Sequence, residues 1–441
     1  MTILVLRGLL GVALLLGLAW LMSENRRRVP WRLIVWGIGL QLLLGWLVLR
    51  TPVGLAVFGG LAAGVQRLVQ SVEPAAFLLF GRGLSSAGGE FGPAFAFAAQ
   101  GLPVIIFFAA LMAVLYHVGV VQVLVWCFAR VMMVTMRVSG AEAMAMAANV
   151  FVGQTEAPLV VKPYLPTMTR SELNALMTGG FATVAGSVMA VYIGLFGDDA
   201  VEFGRHLLTA SVMSAPAAFV IAKIVLPETE TPATAGQVRL EIRRDAHNLI
   251  EAAANGTADG LKLWLNVIAM LIAFIALVAL IDWPLGWLGE AAFGLARPTV
   301  GEGGEVVDAG DPLTLARVFG WVFAPLAWGI GVQGWHDCQL FGSLLGTKIA
   351  VNEFIGFLEL GRLTALGGAE AGGFVHERSA RMAAYALCGF ANFASIGIQI
   401  GGIAPLAPER RTDLARLALR AMLGGALASA ATAAVAGVYL A

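Results

Sequence analysis

The chain has 441 residues, 59% of them hydrophobic and only 13% charged, with 28 basic residues against 28 acidic ones. A soluble domain carries nearer ~25% charged residues, so the composition excludes a soluble domain and predicts an all-α polytopic membrane protein. The absence of net charge gives no reason to expect a nucleic-acid partner. Three cysteines, Cys127, Cys338 and Cys388, are too few and too scattered for a disulfide framework or a metal site.

In chain order, residues 3–22 form a first apolar span, long enough for ~30 Å of hydrocarbon. It ends in a polar run rather than at small residues, so it reads as a retained helix and not a signal peptide. Arg26, Arg27, Arg28 and Arg32 follow, and the positive-inside rule puts them in the cytoplasm. Residues 33–49 are the second span. Residues 52–101 are interrupted by Gln66, Arg67, Gln70, Glu73, Arg82 and Glu90, and part of them suits an interfacial amphipathic helix. Further spans are expected over 103–126, 173–196, 207–226, 261–281, 382–403 and 422–440. Residues 228–260 read as a soluble inner stretch and 282–311 as an outer segment. Two re-entrant hairpins complete the reading, one around residues 149–164. The other has arms at 315–332 and 340–360 on either side of residues 333–337. With about eight spans and both hairpins counted as non-spanning, the arginine-rich loops fall on one side. The divisions are 1–100 (N-terminal spans and interfacial helix), 101–227 (first transport repeat), 228–312 (inner loop, span and outer segment) and 313–441 (second transport repeat).

The first hairpin holds the most informative stretch. Asn149, Gly153, Gln154, Thr155, Glu156 and Pro158 lie within ten residues of an otherwise apolar region. Gln154, Thr155 and Glu156 are consecutive, about 100° apart on a regular helix, so they converge on one ligand only if the backbone breaks. Gly153 and Pro158 permit that break. Residues 180–185 (GFATVA) resemble residues 389–394 (GFANFA), each in a span that follows a hairpin with a buried glutamate, Glu156 or Glu353. Inverted repeats with discontinuous helices are the signature of secondary transporters, with the site near the repeat interface.

Glu156 and Glu353 could be structural carboxylates, but intramembrane acids mark function by default. Asn392 and Ser395 stand three apart and share a helix face. Lys348 could snorkel or pair with Glu353 and is left unassigned. His117 reads as a packing histidine, and His336, Asp337, His376 and Glu377 lack metal-motif spacing. A half-helix ending at Val152 would leave carbonyls unpartnered at a negative dipole end. With the Asn149 amide oxygen and the Thr183 hydroxyl, these suit a hard monovalent cation such as Na⁺.

From about residue 102 onward the chain resembles the concentrative nucleoside transporters. The resemblance rests on Gly153-Gln154-Thr155-Glu156-Ala157-Pro158, on Gly346-Thr347-Lys348 with Asn352-Glu353-Phe354, and on Asn392-Phe393-Ala394-Ser395-Ile396-Gly397. It departs at Ile355-Gly356-Phe357, where the family usually has a valine-alanine-aromatic run, and in a glycine-rich linker at 363–373. The resemblance implies eight spans, two re-entrant hairpins, a homotrimer and cation-coupled nucleoside uptake across the plasma (inner) membrane. It implies that Gln154, Thr155 and Glu156 face the nucleobase with Val188 nearby. Glu353, Asn392 and Ser395 would hold the ribose hydroxyls beside Phe390, and Asn149, Val152, Thr183 and Val184 match the sodium positions. No enzymatic cofactor is implied; Na⁺ is the coupling ion, with H⁺ as the alternative. A membrane-embedded hydrolase would need a metal or a nucleophile–base pair, and neither HExxH nor GxSxG is present. A passive channel has no need of an inverted repeat.

Overall fold

The computed structural model describes residues 2–80, 102–236, 246–295, 299–300, 306–308, 312–366 and 368–440. Helices α1 (Thr2–Leu21) and α2 (Trp31–Arg50) flank the arginine-rich turn. After Thr51, α3 (Pro52–Gln70) packs on α2, and a short α4 (Glu73–Phe80) follows. Helix α3 with the residues up to Ala76 is long and apolar enough to cross a membrane, where the sequence suggests an interfacial helix for part of this region. Arg82 and Glu90 lie outside the described residues, as do residues 237–245.

Helices α5 (Val104–Val118) and α6 (Val120–Met136) meet at a 75° bend. The expected span over 103–126 therefore ends near residue 118. Helix α7 (Gly140–Asn149) opens on a capping box in which Ser139 accepts from the Glu142 N–H and Glu142 accepts from the Ser139 N–H. The chain then turns through residues 150–156 into the short α8 (Ala157–Val160) and a 3₁₀ turn, Lys162–Thr167. A second capping box, Thr169 with Glu172, opens α9 (Arg170–Ala182). Both boxes are the S/T-x-x-E signature of a helix start. The span expected over 173–196 is broken at residues 183–185, and α10 (Gly186–Gly194) resumes it. Helix α11 (Ala200–Val225) closes this unit.

Helix α12 (Leu249–Phe293) has 45 residues. At 1.5 Å per residue it is roughly 67 Å long, about twice the hydrocarbon thickness. Residues 249–260 of the expected inner stretch and 282–293 of the expected outer segment are thus one continuous helix with the span. It packs along α5 through Gly256 and Gly260, a small-xxx-small pair. A Cβ at Gly256 would lie 2.7 Å from the Ala109 carbonyl oxygen, and one at Gly260 2.7 Å from Ile106 Cα. Two short strands, β1 (Thr299–Val300) and β2 (Val306–Asp308), pair antiparallel.

The second unit repeats the order of the first. Helices α13 (Leu315–Gly329) and α14 (Trp335–Ala350) fold back on each other, α15 (Glu353–Leu366) follows a two-residue break, and α16 (Glu377–Leu387) and α17 (Phe393–Ile403) form a second broken helix. The long α18 (Arg411–Tyr439) ends it. This corrects the expected second hairpin. Its polar tip is at residues 351–352, not 333–337, and α13 corresponds to α6 instead of forming an arm. The apolar run conceals the break, and Asn352 marks it by capping α15 through the Ile355 N–H at 2.9 Å.

The two broken helices touch at their breaks. A Cβ at Gly389 would lie 2.7 Å from the Phe181 carbonyl oxygen, and α18 seats on the same residue, where a Cβ at its Gly425 would lie 2.4 Å from Phe181 Cβ. Helix α18, rich in Ala and Gly, packs on α9, α11, α1 and α16 and binds the halves together. Seven helices among the described residues are long and apolar enough to cross a membrane, or eight if α5 with α6 counts as one.

Candidate functional site

The first tip is shaped by Gly153, which has φ +104°, in the region that strains a residue bearing a Cβ. A side chain there would also lie 2.7 Å from Ala185 Cβ, so the tip rests against the break between α9 and α10. From this tip Gln154 points to the other unit: its amide oxygen accepts from Gln399 Nε2 at 3.1 Å, and the same nitrogen donates to the Met177 carbonyl at 3.1 Å. Thr155 packs against Gly402 on α17. Glu156 is exposed.

The second tip contributes Glu353, buried at the start of α15. Tyr192 of α10 donates its hydroxyl proton to Glu353 Oε1 at 2.8 Å, and Asn392 Nδ2 donates to Oε2 at 2.9 Å. Asn392 also caps α17, its amide oxygen accepting from the Ser395 N–H at 2.8 Å. Tyr192 is stacked on Phe357 with centroids 4.4 Å apart. One carboxylate is thus held by a residue from each broken helix.

These groups meet in one cavity of about 190 Å³. Gln154, Thr155, Glu156, Val188, Glu353, Phe390, Asn392 and Ser395 all line it, so the structure brings together every one of the predicted substrate residues. Asn149, Thr183 and Val184 lie behind the tip and are buried, while Val152 reaches the cavity wall. Both polar atoms of the Asn149 side chain are buried without a hydrogen-bond partner. Thr183 donates to the Gly179 carbonyl at 2.9 Å, which leaves its oxygen lone pairs free. The carbonyls of Val150 and Phe151 accept from the Ser211 hydroxyl and the Gly186 N–H. No described residue bonds the carbonyls of Val152 or Val184.

Four polar residues of the site escape the sequence reading: Ser187, Tyr192, Asn266 and Gln399. Signals for three were present. Tyr192 stands four after Val188 and Gln399 four after Ser395, each pair sharing a helix face, and Asn266 is an amide in a strongly apolar helix. Lys348 is fully buried but makes no ion pair with Glu353; it donates to the Ala386 carbonyl at 2.8 Å and to Ser429 Oγ at 3.1 Å, beside the second break. Asp337 is buried too, accepting from the Val375 and His376 N–H groups at 3.0 and 3.1 Å and facing His376 Nδ1 at 2.9 Å. His117 lines a second cavity of about 330 Å³ with Tyr116, Asn255 and Asp259. Val152, Glu156, Ser187 and Leu263 line both cavities, so the two adjoin.

Residues 206–437 match the family described as Na⁺ dependent nucleoside transporter C-terminus, and residues 10–82 match its N-terminal counterpart. The chain belongs to the Na⁺-dependent nucleoside transporter family. Residues 98–199 match a further family described as nucleoside recognition. An uncharacterized transporter of Haemophilus influenzae is 40% identical over 440 residues, covering 99% of this chain and 98% of that protein. Sodium/nucleoside cotransporter 1 of Mus musculus is 38% identical over 436 residues, covering 97% of this chain. This chain spans 63% of that mammalian relative's length. Among solved structures, CNTnw in an inward-facing substrate-bound state superposes with a TM-score of 0.87 at 37% identity, covering 99% of both chains. A CNTnw variant in an outward-facing state gives 0.85. The family member described here is a multi-pass plasma-membrane protein with two hairpins and broken helices in inverted repeats.

Proposed function

We propose that this protein is a Na⁺-coupled symporter that concentrates nucleosides into the cell by alternating access. The observation that carries the reading is the convergence of two chemically different tips in one cavity. Gln154, Thr155 and Glu156 offer amide, hydroxyl and carboxylate groups that match the donor and acceptor edges of a nucleobase. Glu353, Asn392 and Ser395, with Val188 and Phe390 as apolar walls, suit the paired hydroxyls and furanose of a ribose. A carboxylate held by Tyr192 and Asn392 is pre-oriented to accept from hydroxyl groups, and a site built this way rejects analogues lacking them.

The coupling ion in this reading sits on Asn149, Thr183 and the carbonyls of Val152 and Val184. The unpartnered, buried Asn149 amide is the support for that placement, since buried polar groups without partners are rare and ask for an explanation. An ion there fixes the tip that carries Gln154, Thr155 and Glu156. It thereby favours nucleoside binding, and by linkage nucleoside favours the ion. The names of the relatives, sodium/nucleoside cotransporters, agree with Na⁺ in preference to H⁺. The reading includes a homotrimer, for which the outward apolar face of α12, with Ile272, Leu280 and Trp283 exposed, supplies a surface to cover.

The test is counterflow uptake of labelled uridine into proteoliposomes with and without a Na⁺ gradient. Accumulation that needs the gradient supports the reading. Accumulation driven by a pH gradient in Na⁺-free buffer transfers the coupling to H⁺, and no nucleoside-specific uptake rejects the substrate class.

A further inference from the structure

A cleft of about 580 Å³ lies away from the central cavity, at the arginine-rich face. Three distant segments build it. Arg28 comes from the turn between α1 and α2, Arg32 from the first turn of α2, Arg137 from the cap of α6, and Lys223 from α11. Its two carboxylates, Glu142 and Glu228, both pair with Lys223, at 2.7 and 3.2 Å. No described acidic residue pairs with Arg28, Arg32 or Arg137. Several neighbours are engaged: Arg170 and Arg420 pair with Glu24, Arg410 pairs with Asp413, and Arg26 lies over the Trp20 ring, whereas Arg27, Arg411 and Arg416 lie outside the cleft. Three exposed guanidinium groups thus share one concave surface without an ion pair of their own, and the four basic residues of the cleft outnumber its two carboxylates. Among the described residues Arg137 is also the one non-glycine with positive φ, at 55°.

We infer that this cleft binds the phosphate-ester headgroup of an anionic phospholipid of the cytoplasmic leaflet. Guanidinium groups are suited to planar, bidentate recognition of phosphate oxygens. Basic pockets between spanning helices on the cytoplasmic side meet a leaflet that carries anionic lipid. The cleft also has the apolar wall a lipid needs. Trp31 lines it while remaining 70% exposed, and Val29 and Leu33 adjoin it; tryptophan favours the headgroup level of a bilayer. The floor includes Ser139 and Glu142, the capping box that starts α7. A bound headgroup therefore sits at the base of the helix that ends at Asn149.

The experiment uses the full chain in detergent, with native mass spectrometry counting dioleoyl phosphatidylglycerol or phosphatidylcholine retained per protomer. Three variants, Arg28→Gln, Arg32→Gln and Arg137→Asn, are measured singly and combined; Asn tolerates the left-handed backbone at 137. The control combines Arg27→Gln, Arg411→Gln and Arg416→Gln, which removes the same charge elsewhere on that face. Each basic residue near an anionic surface contributes about 1 kcal/mol. Each single variant is therefore expected to weaken phosphatidylglycerol binding about fivefold and the triple on the order of a hundredfold. Lysine at all three positions should retain most of the binding, and phosphatidylcholine should bind weakly throughout. The single variants give a graded reading should the triple not fold. Equal losses in the triple variant and the control overturn the site, as does equal retention of both lipids. Thermal stabilisation saturated by inorganic phosphate alone, with phosphatidylglycerol adding nothing, overturns the lipid assignment in favour of a free anion.

Discussion

Asn392 donates to Glu353 at 2.9 Å while its own amide oxygen caps α17 at 2.8 Å. A residue that ends one break is thereby tied to the tip of the preceding hairpin. The position of the carboxylate and the direction of the half-helix are set together, so neither shifts without the other. Tyr192 brings the first broken helix to the same carboxylate, and Gln399 brings the second broken helix to the first tip. Each unit holds the other's polar tip.

Glu353→Gln keeps the shape of the side chain and removes the charge that accepts hydroxyl protons. Hydrogen bonds to charged groups contribute ~1.5–3 kcal/mol, so the apparent affinity for uridine should fall about tenfold or more, with the protein still reaching the membrane. Tyr192→Phe should produce a smaller loss, because it removes a group that orients the carboxylate. Uptake curves for both variants check this, and wild-type affinity in Glu353→Gln rejects the sugar assignment.

Thr183→Val removes a ligand oxygen from the proposed ion site while nearly keeping volume. It should raise the Na⁺ concentration for half-maximal uptake, and saturating Na⁺ should restore most of the rate. Sodium titrations of uridine uptake decide it. Unchanged Na⁺ dependence together with uptake driven by a pH gradient moves the coupling to Glu156 or Glu353.

Gly153→Ala tests the seat of the first tip. The new Cβ meets a backbone with φ +104° and Ala185 Cβ at 2.7 Å. A strain of about 1–2 kcal/mol, concentrated where Gln154, Thr155 and Glu156 begin, should lower uridine uptake roughly tenfold with little change in expression. Transport at the wild-type rate would show that the tip relaxes without cost.

Topology is open to labelling with a membrane-impermeant thiol reagent in intact cells, on a background free of Cys127, Cys338 and Cys388. Cysteine at Arg28 should be protected. Cysteine at Glu230, an exposed residue of the same face, should be protected as well. Cysteine at Ala369 should react, as should one at Gly303, which lies outside the described residues. A reversed pattern ends the eight-span arrangement.

Asp337→Ala removes the acceptor of three groups that hold residues 375–376 against α14. Val375 is 51% exposed and His376 partly so, which lets water take up the freed donors; each lost hydrogen bond then costs about 0.5–1.5 kcal/mol, and thermal stability should drop. Amide hydrogen exchange at Val375 and His376 should rise well before exchange elsewhere on α14. Uniform exchange in the variant and the parent shows that the loop is held by other contacts.

The sequence alone determined the class of the protein, and the apolar runs and the placement of arginine showed most of the spans. It also singled out Gln154, Thr155, Glu156 and Glu353, because carboxylates and amides at membrane depth stand out against an apolar background. The tertiary structure decided where the helices break. An apolar run carries the same periodicity across residues 351–352 as within α14, so the second tip was misplaced by about fifteen residues, although Asn352 and Glu353 themselves were recognised. The continuity of α12 through the expected inner and outer segments was equally hidden, since polar residues on a helix longer than the bilayer look like loops. The partners of each site residue had no local signature at all. Tyr192 and Glu353 are 161 residues apart, and Gln154 and Gln399 are 245 apart. Only the packing of two repeats around their breaks brings them within hydrogen-bonding distance, because buried polar groups in a membrane interior must find partners wherever the fold places them.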